Sequence, residues 1–280
     1  MTEDQYGSLA ADYHWFFDDV ELFLGSDTPG VRAAMALLQP GARVLDAACG
    51  IGVDASALFR RGFEVSASDA SAQMAVATRQ RLAAAGSGEA RVIASAWTDL
   101  PANFEPASFD AVFCIGNSIA HAPDASAAIA ALTAFRSILA PGGILVLDTH
   151  DWELVHRSGS RVEIEPGIVE RDGIRCVRTY SWHVPEEFGD PHVLEIAPIF
   201  LDGDRATLRS YPVTMWPFAR AELKRRLSVA GFVSIALDAI PGDERYTATA
   251  RCPKCDQPEA TNRTAPSNSW PGRLPGSFSA

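Results

Sequence analysis

The sequence predicts an α/β protein: a doubly wound, mostly parallel seven-stranded sheet with a small antiparallel β insert after the fifth strand. Three observations predict it. Between residues 42 and 149, short β-branched apolar runs alternate with alanine-rich helical stretches, the βαβ rhythm of a parallel sheet covered on both faces. Between residues 173 and 215 apolar and polar residues alternate with a period near two, broken by Pro, Gly and Asp, as antiparallel strands do. A helical stretch and two further apolar runs then remain to complete the first sheet.

Taken in order, the core strands are expected at Arg43–Ala47, Glu64–Ser68, Arg91–Ala94, Ala111–Ile115 and Ile144–Leu147. Helices are expected between them at Val53–Arg61, Ala72–Ala85 and Ser126–Leu139, closed by Gly62, Gly86 and a Pro141-Gly142-Gly143 turn, where C-caps and breakers belong. "GIRCVRTYSWHV", "HVLEIAPIFLDGD" and "ATLRSYPVTM" supply the insert. A helix from about Ala219 to Ala230, a stop at Gly231, and strands at Val233–Asp238 and Tyr246–Ala250 finish the chain's ordered part. The organisation expected is an aromatic N-terminal segment over 1–35, a ligand-binding core over 36–150, the insert over 151–216, completion of the core over 217–252, and a disordered Pro/Ser/Asn/Thr tail over 253–280.

The chain has 280 residues, 47% of them hydrophobic, with mean hydropathy +0.01, which suits a soluble globular protein with no membrane association. Its acidic start, MTEDQYGSLA, lacks the basic and apolar regions of an export signal, and a cytoplasmic location is expected. The net charge of −11 disfavours nucleic acid. A homo-oligomer is left open. Of five cysteines, Cys49, Cys114 and Cys176 lie in apolar segments and read as reduced core residues. "CPKC" at Cys252 to Cys255 has neither a second Cys pair nor a nearby His, so no metal is expected.

The stretch "VLDAACGIGVDA" carries the chemistry. Gly50, Gly52 and Ala55 match the dinucleotide pattern G-x-G-x-x-G/A, and glycines before a helix let backbone approach a ligand. Yet Asp46 precedes the turn and Asp54 opens the helix. A like charge about 4 Å from a pyrophosphate costs about 4 kcal/mol at an effective dielectric near 20, more than the ~0.3–1 kcal/mol a helix dipole returns. An adenosine ligand with a cationic amino-acid end fits better, with Asp46 beside its ammonium. S-adenosylmethionine is such a ligand. Asp69, 17 residues after Gly52 at the end of the second strand, stands where a carboxylate accepts ribose hydroxyls, while capping the following helix equally well.

With "VLDAACGIG", "VSASDAS" and "LAPGGILVLDTH" in order, residues 40–150 resemble class I S-adenosylmethionine-dependent methyltransferases and their Rossmann-like fold. "FDAVFCIGNSIAHAPD" is similar in particular to glycine N-methyltransferase and its glycine/sarcosine relatives, through C-x-G-N-S-x-x-H. The resemblance implies that Gly50 and Gly52 meet the cofactor's amino-acid end, Asp69 its ribose, and Met74, Ala96 and Trp97 the adenine. It implies that Cys114, Ile115 and Gly116 line the cofactor by backbone and that Asn117 faces the methyl acceptor. Tyr6 and Trp15 recur with the nine-residue spacing of a tyrosine and a tryptophan in that group's N-terminal lid. Tyr6, Tyr13 and Trp15 are accordingly expected in such a lid, Tyr6 and Trp15 against the cofactor, where aromatic faces attract a sulfonium, and Tyr13 toward the substrate.

The resemblance also fails at one informative place. The glycine-methylating relatives clamp the substrate carboxylate with an arginine just after the fifth strand, and here "LDTHDWELV" puts His150 there. One imidazole cannot make a bidentate clamp. Arg178 or Arg209 from the insert would have to compensate, and Trp152, Tyr180, Trp182 and Tyr211 offer an aromatic substrate side. The expected activity is methyl transfer to a small molecule, at an amine nitrogen in preference to oxygen or carbon. An oxygen acceptor would require a base, for which His121, His150 and His183 are the candidates. A dinucleotide-dependent oxidoreductase is the alternative from another class.

Overall fold

A computed structural model of the chain describes residues 5–17 and 29–254. After α1 (Pro29–Leu37), the predicted rhythm unfolds as β1 (Arg43–Asp46), α2 (Val53–Arg60), β2 (Glu64–Asp69), α3 (Ala72–Ala84), β3 (Val92–Ala94), α4 (Leu100–Asn103), β4 (Phe109–Cys114), α5 (Ala125–Ile138) and β5 (Leu139–His150). Two of the helices are capped by side chains: Ser71 accepts from the Met74 N–H and Asp124 from the Ala127 N–H.

One boundary differs from expectation. The Pro141-Gly142-Gly143 segment is absorbed into β5, because Phe109 pairs with Leu139 and Ala111 with Ile144. Two steps along β4 oppose five along β5, so three residues are looped out as a bulge while the ladder continues. Gly142, at φ +79, supplies the left-handed turn the bulge needs.

The strands form one seven-stranded sheet in the order β14-β15-β5-β4-β1-β2-β3, with β14 (Val233–Ala239) and β15 (Arg245–Arg251) antiparallel to their neighbours and the rest parallel. Burial on both faces follows from alternation. Val44, Ala111 and Ile144 pack with Val31, Leu58 and Met74 of α1 to α3, whereas Leu45, Val112 and Leu145 pack with Phe135 of α5 and Leu223 of α7 (Arg220–Val229). The chain leaves β1 toward β2 and β3, then returns to β4. The crevice between the carboxyl ends of β1 and β4 is therefore the topological switch point, where open α/β sheets bind ligands.

The insert is larger than the small sheet expected. After α6 (Trp152–Ser158) come β6 (Arg161–Ile164), β7 (Val169–Arg171), β8 (Ile174–Val177), β9 (Thr179–His183), β10 (His192–Ile196), β11 (Ile199–Asp202), β12 (Arg205–Leu208) and β13 (Tyr211–Met215). They make two four-stranded antiparallel sheets, β13-β10-β9-β6 and β12-β11-β8-β7. Each strand of one sheet runs on into a strand of the other through a short break at one common level, bridged by Glu165 N–H to Arg178 O, Ala197 N–H to Thr179 O and Arg209 N–H to Pro198 O. Period-two patterning cannot show such a bend, because alternation resumes on either side of it.

Among the described residues no helix is long and apolar enough to cross a membrane, and no group of three or more His, Cys, Asp or Glu could hold a metal ion. Cys49, Cys114, Cys176 and Cys252 are buried free thiols. Cys255 and the tail predicted to be disordered from 253 lie, beyond residue 254, outside the described residues.

Candidate active site

The turn after β1 is fastened from three sides. Asp69, at the end of β2, accepts the Gly50 N–H through Oδ2 and the Ser71 N–H through Oδ1, both at 2.9 Å. From α3, the Thr78 hydroxyl donates to Gly50 O at 2.7 Å and Arg81 Nε to Ile51 O at 2.8 Å. Trp97 Nε1 donates to Ala47 O at 2.7 Å. Gly50 (φ +52) and Gly52 (φ +82) both occupy the left-handed region, yet their surroundings differ. A Cβ on Gly50 would meet only the Tyr13 ring, at 3.8 Å, whereas one on Gly52 would meet Thr78 Cα at 3.0 Å. Gly52 therefore also serves the docking of α3, and Gly50 is the glycine with open space beside it toward the crevice.

Carboxylates crowd this end of the sheet. Asp46 is 1% exposed, and burial, reinforced by Asp54 and Asp69, pushes its carboxyl well above the usual range. The same desolvation raises the Cys49 and Cys114 thiols, with Asp46 adding to both. A diphosphate would add negative charge to this group. A ligand presenting an ammonium to Asp46 and ribose hydroxyls to the remaining lone pairs of Asp69 would relieve it, so the residues present fit S-adenosylmethionine and oppose a dinucleotide.

On the other side of the switch point, Asp148 of β5 is 4% exposed and accepts the N–H groups of Gly116 and Asn117, the latter at 3.2 Å, while pairing with Arg245 of β15. Asn117 sits at φ +64, a conformation asparagine tolerates. Its Oδ1 accepts from the Thr149 hydroxyl at 2.8 Å and the His150 N–H at 3.0 Å, and its Nδ2 lies 3.1 Å from Met215 Sδ. The expectation that this amide faces the acceptor is corrected to that extent: its carbonyl is turned into the protein, fixing the end of β5.

The His150 ring is boxed edge-on by Trp152 and Trp182, at 5.6 and 5.4 Å between centroids. Burial, with repulsion from Arg245 and Arg161, lowers its pKa to about 4 from an ordinary 6.5. The linkage has a definite sign. An unfolded chain protonates this imidazole as pH falls through 6.5 and the folded one not until about 4, so the stability it contributes is complete above 6.5 and is lost as pH falls toward 4. Burial lowers His121 and His192 in the same direction. Urea unfolding should show His150 accounting for roughly 2 kcal/mol lost between pH 7.5 and 5, a loss that His150→Gln removes.

Residues 5–17 cover this crevice. Tyr6 packs edge-on to Tyr13 and donates to or accepts from His121 Nε2 at 2.9 Å, while His121 Nδ1 meets Thr214 O at 3.1 Å. Burial and Asp69 raise both tyrosine hydroxyls, with Asp54 and Asp148 also acting on Tyr13. Tyr13 therefore lies among the carboxylates of both halves of the crevice. Trp15 does not: it packs on Phe200 with Val169 and Cys176, under the Arg171 guanidinium. The expectation of Trp15 over the cofactor is corrected to an anchor in the insert.

The cover is latched. Asp12, 5% exposed, accepts both from Arg209 Nη1 at 2.6 Å and from the Tyr211 hydroxyl, Arg171 donates to Phe17 O at 2.8 Å, and Gln5 accepts the Thr214 N–H at 2.6 Å. Arg209 and Tyr211 thus hold the N-terminal segment instead of standing free for a substrate. Because the Arg209 side chain is 52% exposed, its pair is worth about 1 kcal/mol. Arg209→Ala is expected to speed S-adenosylhomocysteine dissociation about fivefold in stopped-flow displacement, without altering the unfolding midpoint by more than a small shift.

Arg178 is corrected as well. It is 1% exposed at the bend of the insert, 3.4 Å from Glu165 and 3.3 Å from Pro166 O, so it is a structural cation. Tyr180 donates to the same Glu165 at 3.0 Å and touches Phe16. Met74 is buried at 1% beside the glycine turn's helix, Ala96 is exposed after β3, and Trp97 leans on Phe135. Sequence reasoning missed Asp148, Arg245 and Asp12. The first had a signal, a carboxylate inside the apolar run ILVLDTH. The other two act through partners 97 and 197 residues away.

Residues 44–143 match the family model described as a methyltransferase domain. Glycine N-methyltransferase of Rattus norvegicus is 36% identical over 171 residues, 56% of this chain and 57% of that enzyme. The chain thus spans little more than half the length of that relative. Glycine/sarcosine N-methyltransferase of Aphanothece halophytica is 29% identical over 222 residues, 75% of this chain and 74% of that one. Among solved structures, the S-adenosylmethionine-bound aminopentose methyltransferase CalS10 of Micromonospora echinaspora superposes with a TM-score of 0.67 at 21% identity, over 87% of this chain and 96% of that one, a likeness of fold.

Proposed function

We propose, from the premise that the chain is a class I S-adenosylmethionine-dependent methyltransferase near the glycine N-methyltransferase group, that it methylates a small molecule at an amine nitrogen. The observation that carries this reading is the carboxylate-rich crevice: Asp69 spans from β2 to the open Gly50, with Asp46 buried beside it. The cofactor of this family supplies an electrophilic methyl group when bound. Gly50 and Asp46 would meet its amino-acid end, Asp69 its ribose, Met74, Ala96 and Trp97 the neighbourhood of its base, and Cys114 its flank, with Tyr6 and Tyr13 excluding water from above.

Nitrogen is favoured over oxygen because neither of the two candidate histidines in the crevice, His121 and His150, is a ready base. Both ring nitrogens of His121 are engaged, and His150 is held neutral with a pKa of about 4, too weak a base for a hydroxyl. An amine bound as its free base needs none, so positioning and desolvation carry the rate. Calorimetric titration with S-adenosylhomocysteine and with NADH tests the cofactor. Binding of NADH alone would overturn the reading. Labelled methyl appearing on a hydroxyl of a simple alcohol, with amines inert, would overturn the choice of nitrogen.

A further inference from the structure

Resting on that reading, we propose that the acceptor is a hydroxylated, non-carboxylated amine whose hydroxyl group is held by His150 Nδ1 and Trp152 Nε1. Both atoms are buried and have no hydrogen-bond partner among the described residues. They belong to a row of four rings in successive contact: His150 to Trp152 at 5.6 Å, Trp152 to His192 at 5.6 Å and His192 to His156 at 5.5 Å. Each ring carries one such unmet nitrogen, the others being His192 Nε2 and His156 Nδ1. Buried polar groups left unmet are rare, so a row of four is an unusual concentration.

The row begins at the reacting end of the site. His150 donates its N–H to Asn117 Oδ1, and stands two residues beyond Asp148, which holds the backbone at the end of β4. Its chemistry selects the group it meets. An indole N–H only donates and a neutral imidazole donates or accepts, so hydrogen bonding admits a hydroxyl or a carboxylate, and charge decides between them. A carboxylate would bring a charge with nothing to neutralise it. His150 is held neutral, and the nearby guanidinium groups already have carboxylates: Arg245 with Asp148, Arg161 with Glu244 and Arg178 with Glu165.

The test uses the full chain saturated with S-adenosylhomocysteine, titrated calorimetrically with 2-amino-1,3-propanediol and glucosamine, and with glycine and sarcosine. A hydroxylated amine is expected to bind at least tenfold more tightly than either carboxylated one, and labelled-methyl rates should follow the same order. Equal or tighter binding of glycine or sarcosine overturns the proposal, and so does binding of none of the four, which would mean the row holds only water. Those failures leave the cofactor reading intact, because S-adenosylhomocysteine is bound throughout. Its own failure to bind would remove the reading and the proposal together. Trp152→Phe, which keeps a ring and removes the N–H, should weaken the hydroxylated amine about fivefold while S-adenosylhomocysteine binds as before. An unchanged affinity for the amine counts against the proposal. His150→Arg supplies the missing cation and should reverse the preference toward glycine.

Discussion

Asp69→Ala is expected to weaken S-adenosylhomocysteine binding at least a hundredfold. Two losses combine. A charged acceptor of the ribose hydroxyls disappears, each such hydrogen bond being worth roughly 1.5–3 kcal/mol. The N–H groups of Gly50 and Ser71 also lose the carboxylate that holds the turn across from β2. The side chain is only partly buried and lies at the edge of the sheet's carboxyl end, so the fold should persist, which a near-native urea midpoint would verify. Undiminished affinity in a folded variant would reduce Asp69 to a helix cap and move the ligand elsewhere.

Asp148→Ala should have the largest effect on stability, about 2–4 kcal/mol in equilibrium unfolding, most of it from two buried N–H groups left without an acceptor. The 4% exposed carboxylate joins three partners, the N–H groups of Gly116 and Asn117 and the guanidinium of Arg245. Its removal leaves two amides unpaired at the buried junction of β4 and β5, while Arg245, its side chain 41% exposed, turns to water. Asp148→Asn would keep one acceptor and lose the charge, so it should fall between wild type and alanine. A loss below about 1 kcal/mol for the alanine variant would show that water replaces the carboxylate, and that the junction is wetter than its burial implies.

The core was legible because its signals are local. From β1 to β4 every predicted strand and helix fell within two residues of its expected bounds, since each βαβ unit announces itself within about 30 residues, and only the one-turn α4 had not been expected. The Asp69 position followed from the same logic. What escaped lies in interactions that no window contains. The close approach of Thr78 to Gly52 gives that glycine a packing role that the glycine pattern does not show. Arg178 and Arg209 read as free substrate cations until Glu165 and Asp12 are found beside them. Trp15 kept the spacing of a lid residue, but the size of the insert gave it a different partner, Phe200. The β5 bulge was hidden because Pro141-Gly142-Gly143 has the composition of a turn whether or not the ladder continues past it.

The latch between the N-terminal segment and the insert has a consequence for the order of assembly. Asp12 waits for Arg209 and Tyr211, and Gln5 for Thr214, partners 197 to 209 residues further along the chain. On a ribosome the segment that shields the crevice is made early and finds its seat late, after the whole insert has emerged and bent. Until then the nascent βαβ core presents its crevice uncovered. A cofactor met at that stage would exchange freely, and its retention would begin only when the insert draws residues 5–17 back over it.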